Sequence, residues 1–140
     1  MYKCSFKTNV QNWEEPVTTE HQTAAKHRIF DAALALFARK GYAAVGVREI
    51  AKTAGVNISM INYYFGEKAG ILKAIINECY DRYFKVIKPV GDEDLPLEEH
   101  IRKMIHTCIE FFRQNTELAI VAFDVIPLDI PEVMELKYRW

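Results

Sequence analysis

The chain has 140 residues, half of them apolar, 12% aromatic, and a formal net charge of -1. That suffices for one compact unit with an ample core and is too short for an elaborate multidomain enzyme. No apolar run approaches the roughly 20 residues of a membrane helix, and the opening MYKCSFKTNVQNWEEP lacks the continuous apolar core of a signal peptide, so a cytoplasmic protein without membrane contact is expected.

Residues 1–20 mix polar, aromatic and charged residues without a period and contain Pro16, which predicts an irregular arm. From about Thr23 to Lys40 apolar residues recur at helical spacing through Ile29, Phe30, Ala33, Leu34, Leu36 and Phe37. Arg39, Lys40 and Gly41 then supply a helix stop. A short second helix is predicted from Val47 to Ala54, broken by Gly55. Asn57 is placed to cap a third that runs to Phe65, with Gly66 as its stop.

Glu67 is expected to cap a longer fourth helix whose apolar stripe is Ile71, Leu72, Ile75, Ile76, Cys79, Tyr80, Tyr83 and Ile87, ending near Pro89. The segment PVGDEDLP at 89–96 is turn chemistry. Beyond it, Leu97, Ile101, Met104, Ile105, Cys108, Phe111 and Phe112 define a fifth helix. Leu118 to about Val125, apolar nearly all round, predicts a buried sixth. Pro127 and Pro131 punctuate a loop, and Pro131 can open a further helix.

No strand alternation or internal repeat is present, so the fold class is all-α. A three-helix unit, 21–67, is joined through the long fourth helix to a second helical region, 68–140.

Cys4, Cys79 and Cys108 are odd in number and lack the paired spacing of a zinc site, which predicts reduced thiols, no metal and no cofactor. Cys79 and Cys108 fall on apolar helix faces and read as structural thiols. The near-zero net charge hides an asymmetry. Residues 20–70 carry seven bases against four acids, whereas residues 71–140 carry nine against thirteen. A basic first half and an acidic second half suit one segment that meets phosphate and another that avoids it.

The window from Val47 to Tyr64 meets the steric demands of a helix-turn-helix. Two helices crossing steeply at a tight turn need a small residue at their contact, which Ala51 supplies. Gly55 allows the left-handed backbone of the turn. Ile50, Ala54, Val56 and Ile61 form the small core of the pair. On the third helix, Ile61 and Phe65 share the buried face, leaving Ile58, Ser59, Asn62 and Tyr63 outside.

Ile58, Ser59 and Asn62 are thus the candidates for base edges, Asn62 suited to adenine and Ile58 to a thymine methyl. Tyr63, Tyr64 and Lys68 are candidates for phosphates, Lys68 with help from the N-terminus of the fourth helix; Arg48 and Asn57 complete the set. Tyr64 has two readings, a core ring with a functional hydroxyl or a fully functional side chain. Arg48 and Lys52 are equally compatible with simple solvation.

The stretch Lys26 to about Ile87, above all GYAAVGVREIAKTAGVNISMINYYFGEKAGIL, resembles the N-terminal domain of TetR/AcrR-type transcriptional regulators through Gly41-Tyr42, Val47-Arg48, Ile50-Ala51, Ala54-Gly55-Val56, Tyr64-Phe65 and Lys68. The resemblance covers somewhat under half the chain. It implies a homodimer whose paired third helices read a palindromic operator and whose C-terminal domain binds a small-molecule inducer, with repression as the default. By position it assigns Ser59, Asn62, Tyr63, Tyr64 and Lys68 to DNA.

Two departures stand out. Val45 and Gly46 occupy the place where the family usually has a capping Ser or Thr, and Ile58 stands where many members are polar or basic. Relatives are also longer, with a dimer interface built from late helices, which implies that the chain is a fragment or dimerises by another surface.

Tyr80, Tyr83, Phe84, Cys108, Phe111, Phe112 and Phe123 supply enough aromatic surface to line an inducer pocket, or an ordinary core. The rival reading is a helical protein-interaction module without DNA function. An enzyme is a distant third, because His21, His27, His100 and His106 cannot be assembled with a nucleophile and an orienting group.

Overall fold

A computed structural model of the chain describes residues 19–124, with side chains from Thr23 onward. Six helices follow one another in these residues: α1 Thr19–Lys40, α2 Val47–Ala54, α3 Ile58–Phe65, α4 Lys68–Gly91, α5 Leu97–Gln114 and α6 Thr116–Asp124. The described part contains no strand. The helix predicted from Pro131, Cys4 and most of the N-terminal arm lie outside the described residues.

The first three helices take their bounds from local chemistry. α1 stops at Gly41, whose φ of 79° ends the helical hydrogen bonding after the basic pair Arg39 and Lys40. α2 stops at Gly55, φ 65° and ψ 40°, where the Val56 amide turns back to the Ala51 carbonyl at 3.0 Å. Space is not what demands glycine at Gly55, since an added Cβ would meet nothing within 4 Å; the left-handed backbone is. Gly55→Ala is therefore expected to lower stability by about 1–2 kcal/mol, read by chemical denaturation, without altering the α2–α3 packing. α3 begins at Asn57, whose Oδ1 accepts from the Ser59 amide at 3.0 Å.

One core runs through all six helices. Ile29, Ala33, Leu36 and Phe37 of α1 meet Ile50 and Ala51 of α2, Ile61 of α3, and Ile71, Leu72, Ile75, Ile76 and Cys79 of α4. The same cluster takes in Phe111 of α5 and Leu118, Val121 and Ala122 of α6. α6 packs against both α1 and α4, tying the three-helix head to the later helices. Gly70 lies where a methyl would stand 1.9 Å from the Phe65 carbonyl oxygen, so the first turn of α4 presses on the end of α3.

Four boundaries or burials differ from the sequence expectation. α1 starts at Thr19, not near Thr23: the four residues Thr19 to Gln22 include no apolar one, so apolar spacing gives no signal for the first turn. α4 continues through Pro89 to Gly91. The proline sits in the last turn, so it costs a single hydrogen bond to a carbonyl at an exposed residue, and no interior turn is broken. Glu67 occupies the cap position of α4 without a side-chain cap bond.

α6 is not buried all round. Leu118, Ala119, Val121 and Ala122 face the core, whereas Ile120 and Phe123 face outward. Phe123 meets Phe112 of α5 with ring centres 5.6 Å apart, and α5 carries the further exposed apolar residues Leu97, Ile101, Ile105 and Ile109.

Candidate nucleic-acid interface

α3 is short and carries no charged residue. Its helical period divides it into two faces. Ile61 is fully buried, with Met60, Tyr64 and Phe65 partly buried against the same core. Ile58, Ser59, Asn62 and Tyr63 occupy the opposite arc, and all four are exposed. An exposure of 38% for Ile58 and 75% for Tyr63 is unusual for such large side chains on a helix this short. The four residues expected to face outward are thus exposed together on the side of α3 opposite Ile61.

The candidate residues around this arc are used unequally. Asn57 spends its Oδ1 on capping α3, which fixes the helix start beside Ile58. Arg48 is exposed on α2, where no side chain caps the helix start at Gly46. Val45, at the other family departure, is in the core. Tyr64 has its ring half-buried and packed edge-on against Tyr63, centroids 4.9 Å apart, so it braces Tyr63.

Lys68, expected to hold a phosphate with the N-terminus of α4, has two of its three ammonium donors on backbone carbonyls. Its Nζ donates to the backbone carbonyls of Tyr42 and Val45, both at 3.0 Å, and stands 4.1 Å from the centre of the Tyr42 ring. The Tyr42 ring in turn meets Phe37 edge-on at 5.3 Å. The ammonium therefore fastens the turn between α1 and α2 to the start of α4. Lys68→Met keeps the stem and leaves two carbonyls without this donor. It is expected to lower stability by about 1–3 kcal/mol, measured by thermal melting.

Other charges near α3 come from its neighbours. Lys40 is paired with Glu49 between α1 and α2. Lys26, not singled out from sequence, lies with its Nζ 6.0 Å from the centre of the Phe65 ring. The signal that could have found it is the lack of charge on α3, which leaves any backbone contact to adjacent helices.

The seven aromatic and thiol residues expected around a pocket do come together, as a packed cluster. Tyr83 meets Phe84, Phe111 and Phe112 with centroids 5.4, 5.3 and 6.5 Å apart. Tyr80 reaches Phe84, and Phe112 reaches Phe123. The Tyr83 hydroxyl lies 3.6 Å from Cys108 Sγ. That hydrogen bond, with burial, pushes the Tyr83 pKa up. Burial likewise raises the Cys79 thiol, which suits an inert core residue.

Comparison with known proteins finds the same arrangement elsewhere. Residues 29–75 match the family model described as bacterial regulatory proteins, tetR family. The head of the chain, from α1 into α4, is thus similar to tetR-family regulators. The matched span holds α2 and α3 entirely, so the TetR-type motif and the exposed arc coincide. Over 117 residues the chain is 26% identical to the probable HTH-type transcriptional regulator YttP of Bacillus subtilis, covering 82% of this chain and 56% of that protein. It is 33% identical over 91 residues to the HTH-type transcriptional repressor BdcR of Escherichia coli, covering 65% of this chain and 46% of BdcR. The chain thus spans about half the length of these relatives.

Among solved structures, the fatty acid degradation regulator FadR from Bacillus halodurans superimposes with a TM-score of 0.67 at 25% identity, over 81% of this chain and 60% of FadR. A tetR-family regulatory protein from Rhodococcus RHA1 gives 0.72 at 23% identity, over 81% of this chain and 60% of that one. The TetR-type fold therefore extends beyond the matched head into the later helices.

Proposed function

We propose that the chain is the DNA-reading part of a transcriptional regulator, in which Ile58, Ser59 and Asn62 of α3 meet base edges and Tyr63 holds the adjoining backbone. The observation that carries this is the exposed arc of α3, four side chains free of the core on a helix whose other face is fixed by Ile61. Asn62 presents both an amide donor and an acceptor, the pair needed for adenine in the major groove. Ile58 offers a surface to a thymine methyl. Arg48 and the backbone amides at the starts of α2 and α4 suit phosphate.

Two such heads, one per subunit of a homodimer, would read half-sites about 34–36 Å apart, which predicts a palindromic operator. Repression relieved by a small apolar or aromatic inducer is the regulatory part of the proposal. Its support is the α4–α5–α6 aromatic cluster around Tyr83 and Phe112. A molecule wedged among those rings would shift α4, and with it the spacing of the two α3 helices.

The test is titration of a labelled duplex at several salt concentrations with the unaltered chain and with Tyr63→Ala. Salt-dependent binding that weakens in the variant supports the reading. Indifference of the chain to duplex DNA contradicts it and favours a protein-interaction module, for which the exposed α5 ladder of Leu97, Ile101, Ile105 and Ile109 is the favouring observation.

A further inference from the structure

The reading helix brings no positive charge of its own, and the lysine at the start of α4 has two of its three ammonium donors on the Tyr42 and Val45 carbonyls. A helix entering a groove between two phosphate rows still needs cations at its ends, because backbone neutralisation supplies most of the affinity. Among the described residues, the Phe65 ring at the end of α3 has one cation over its face. Lys26 of α1 lies over the Phe65 ring, 6.0 Å from its centre, and its side chain is exposed.

Lys26 stands at the rim of an open cleft of about 890 Å³ between α1, α3 and α4, and Tyr63 and Tyr64 line the same cleft. Two carboxylates also border it. Glu78 is taken by Arg82 at 2.6 Å, and no ion pair between Asp31 and Lys26 is formed among the described residues. The apolar ring beneath Lys26 anchors the position of the ammonium while leaving its three N–H donors unspent, since a ring face accepts no proton strongly.

We propose that Lys26 is a phosphate contact, laid by α1 against the end of α3 so that it meets the DNA backbone beside the segment read by Asn62 and Tyr63. This rests on the DNA-reading role of α3. Phe65 then has two functions: its buried edge joins the core and its outer face steers the cation. The partner is the sugar-phosphate backbone of duplex DNA, recognised by charge and not by sequence, so the contact would serve non-specific and specific complexes alike.

The experiment is a fluorescence titration of a labelled random-sequence duplex between about 50 and 200 mM salt. It compares the unaltered chain, Lys26→Gln, Lys26→Arg and Lys103→Gln; Lys103 is paired with Glu93 away from α3. Thermal melting confirms that each variant is folded. A phosphate contact predicts that Lys26→Gln lowers the slope of log affinity against log salt by about 0.9 per bound chain. Its affinity should fall several-fold, Lys26→Arg should restore both, and Lys103→Gln should change neither. A folded Lys26→Gln with the slope of the unaltered chain overturns the contact while leaving the DNA-reading role intact. Absence of salt-dependent binding by the unaltered chain overturns both.

Discussion

Asn62→Ala is expected to weaken binding to the preferred duplex by about 5- to 150-fold, the cost of about 1–3 kcal/mol that a good bidentate base contact carries, while leaving the melting temperature within error. The two halves of that expectation have one cause. Asn62 lies on the exposed arc of α3, outside the core cluster, and its side chain caps none of the described helices. Its removal takes nothing from the fold.

The loss should be selective. At the base pair read by Asn62 the variant should accept other bases with little penalty, whereas its affinity for unrelated duplexes should be close to that of the unaltered chain. Tyr63→Ala should behave differently, weakening binding to all duplexes alike, since a backbone contact carries no sequence information. Competition titrations with the preferred duplex and with single-base variants distinguish the two.

One position earlier, Ile61→Ala should do the reverse. Ile61 is 0% exposed and sits where α1, α2 and α4 converge on α3. Truncating such a side chain removes its burial and leaves a cavity, at about 2–5 kcal/mol. For a chain of this length that is a large part of the total stability, given that whole domains are stable by about 5–15 kcal/mol. The expected result is a clear drop in the denaturation midpoint and a loss of DNA binding that follows the unfolded fraction. Restoring the fold at low temperature or with an uncharged osmolyte such as sucrose should restore binding to Ile61→Ala, but never to Asn62→Ala. Adjacent residues on one short helix are thereby assigned to opposite functions by a single rotation of about 100° along the helix.

That division was legible in the sequence because it depends only on the helical period and on punctuation within a few residues. Gly55 and Gly66 end their helices, Asn57 caps α3, and the apolar spacing of Ile61 and Phe65 fixes which face turns inward. The features that were not legible depend on residues distant in the chain. Nothing near Lys68 announces that its ammonium will find the carbonyls of Tyr42 and Val45, because that meeting follows from how α4 returns past the α1–α2 turn. Lys26 is hidden for the same reason: its partner Phe65 comes from another helix.

The outward-facing Ile120 and Phe123 show a further limit. A helix that is apolar nearly all round declares that it wants burial but not which of its faces the neighbouring helices reach. Pro89 shows the opposite error, a strong local signal overridden because the last helical turn can spare one hydrogen bond.

The most direct test of the central claim is selection of bound sequences from a pool of random duplexes by the unaltered chain, followed by sequencing. The account predicts enrichment of a two-fold symmetric sequence, with half-sites separated by about one turn of duplex, 34–36 Å, and with its preference at one base pair per half-site lost in Asn62→Ala. Recovery of a pool no different from the input, from a chain shown to be folded, would contradict it.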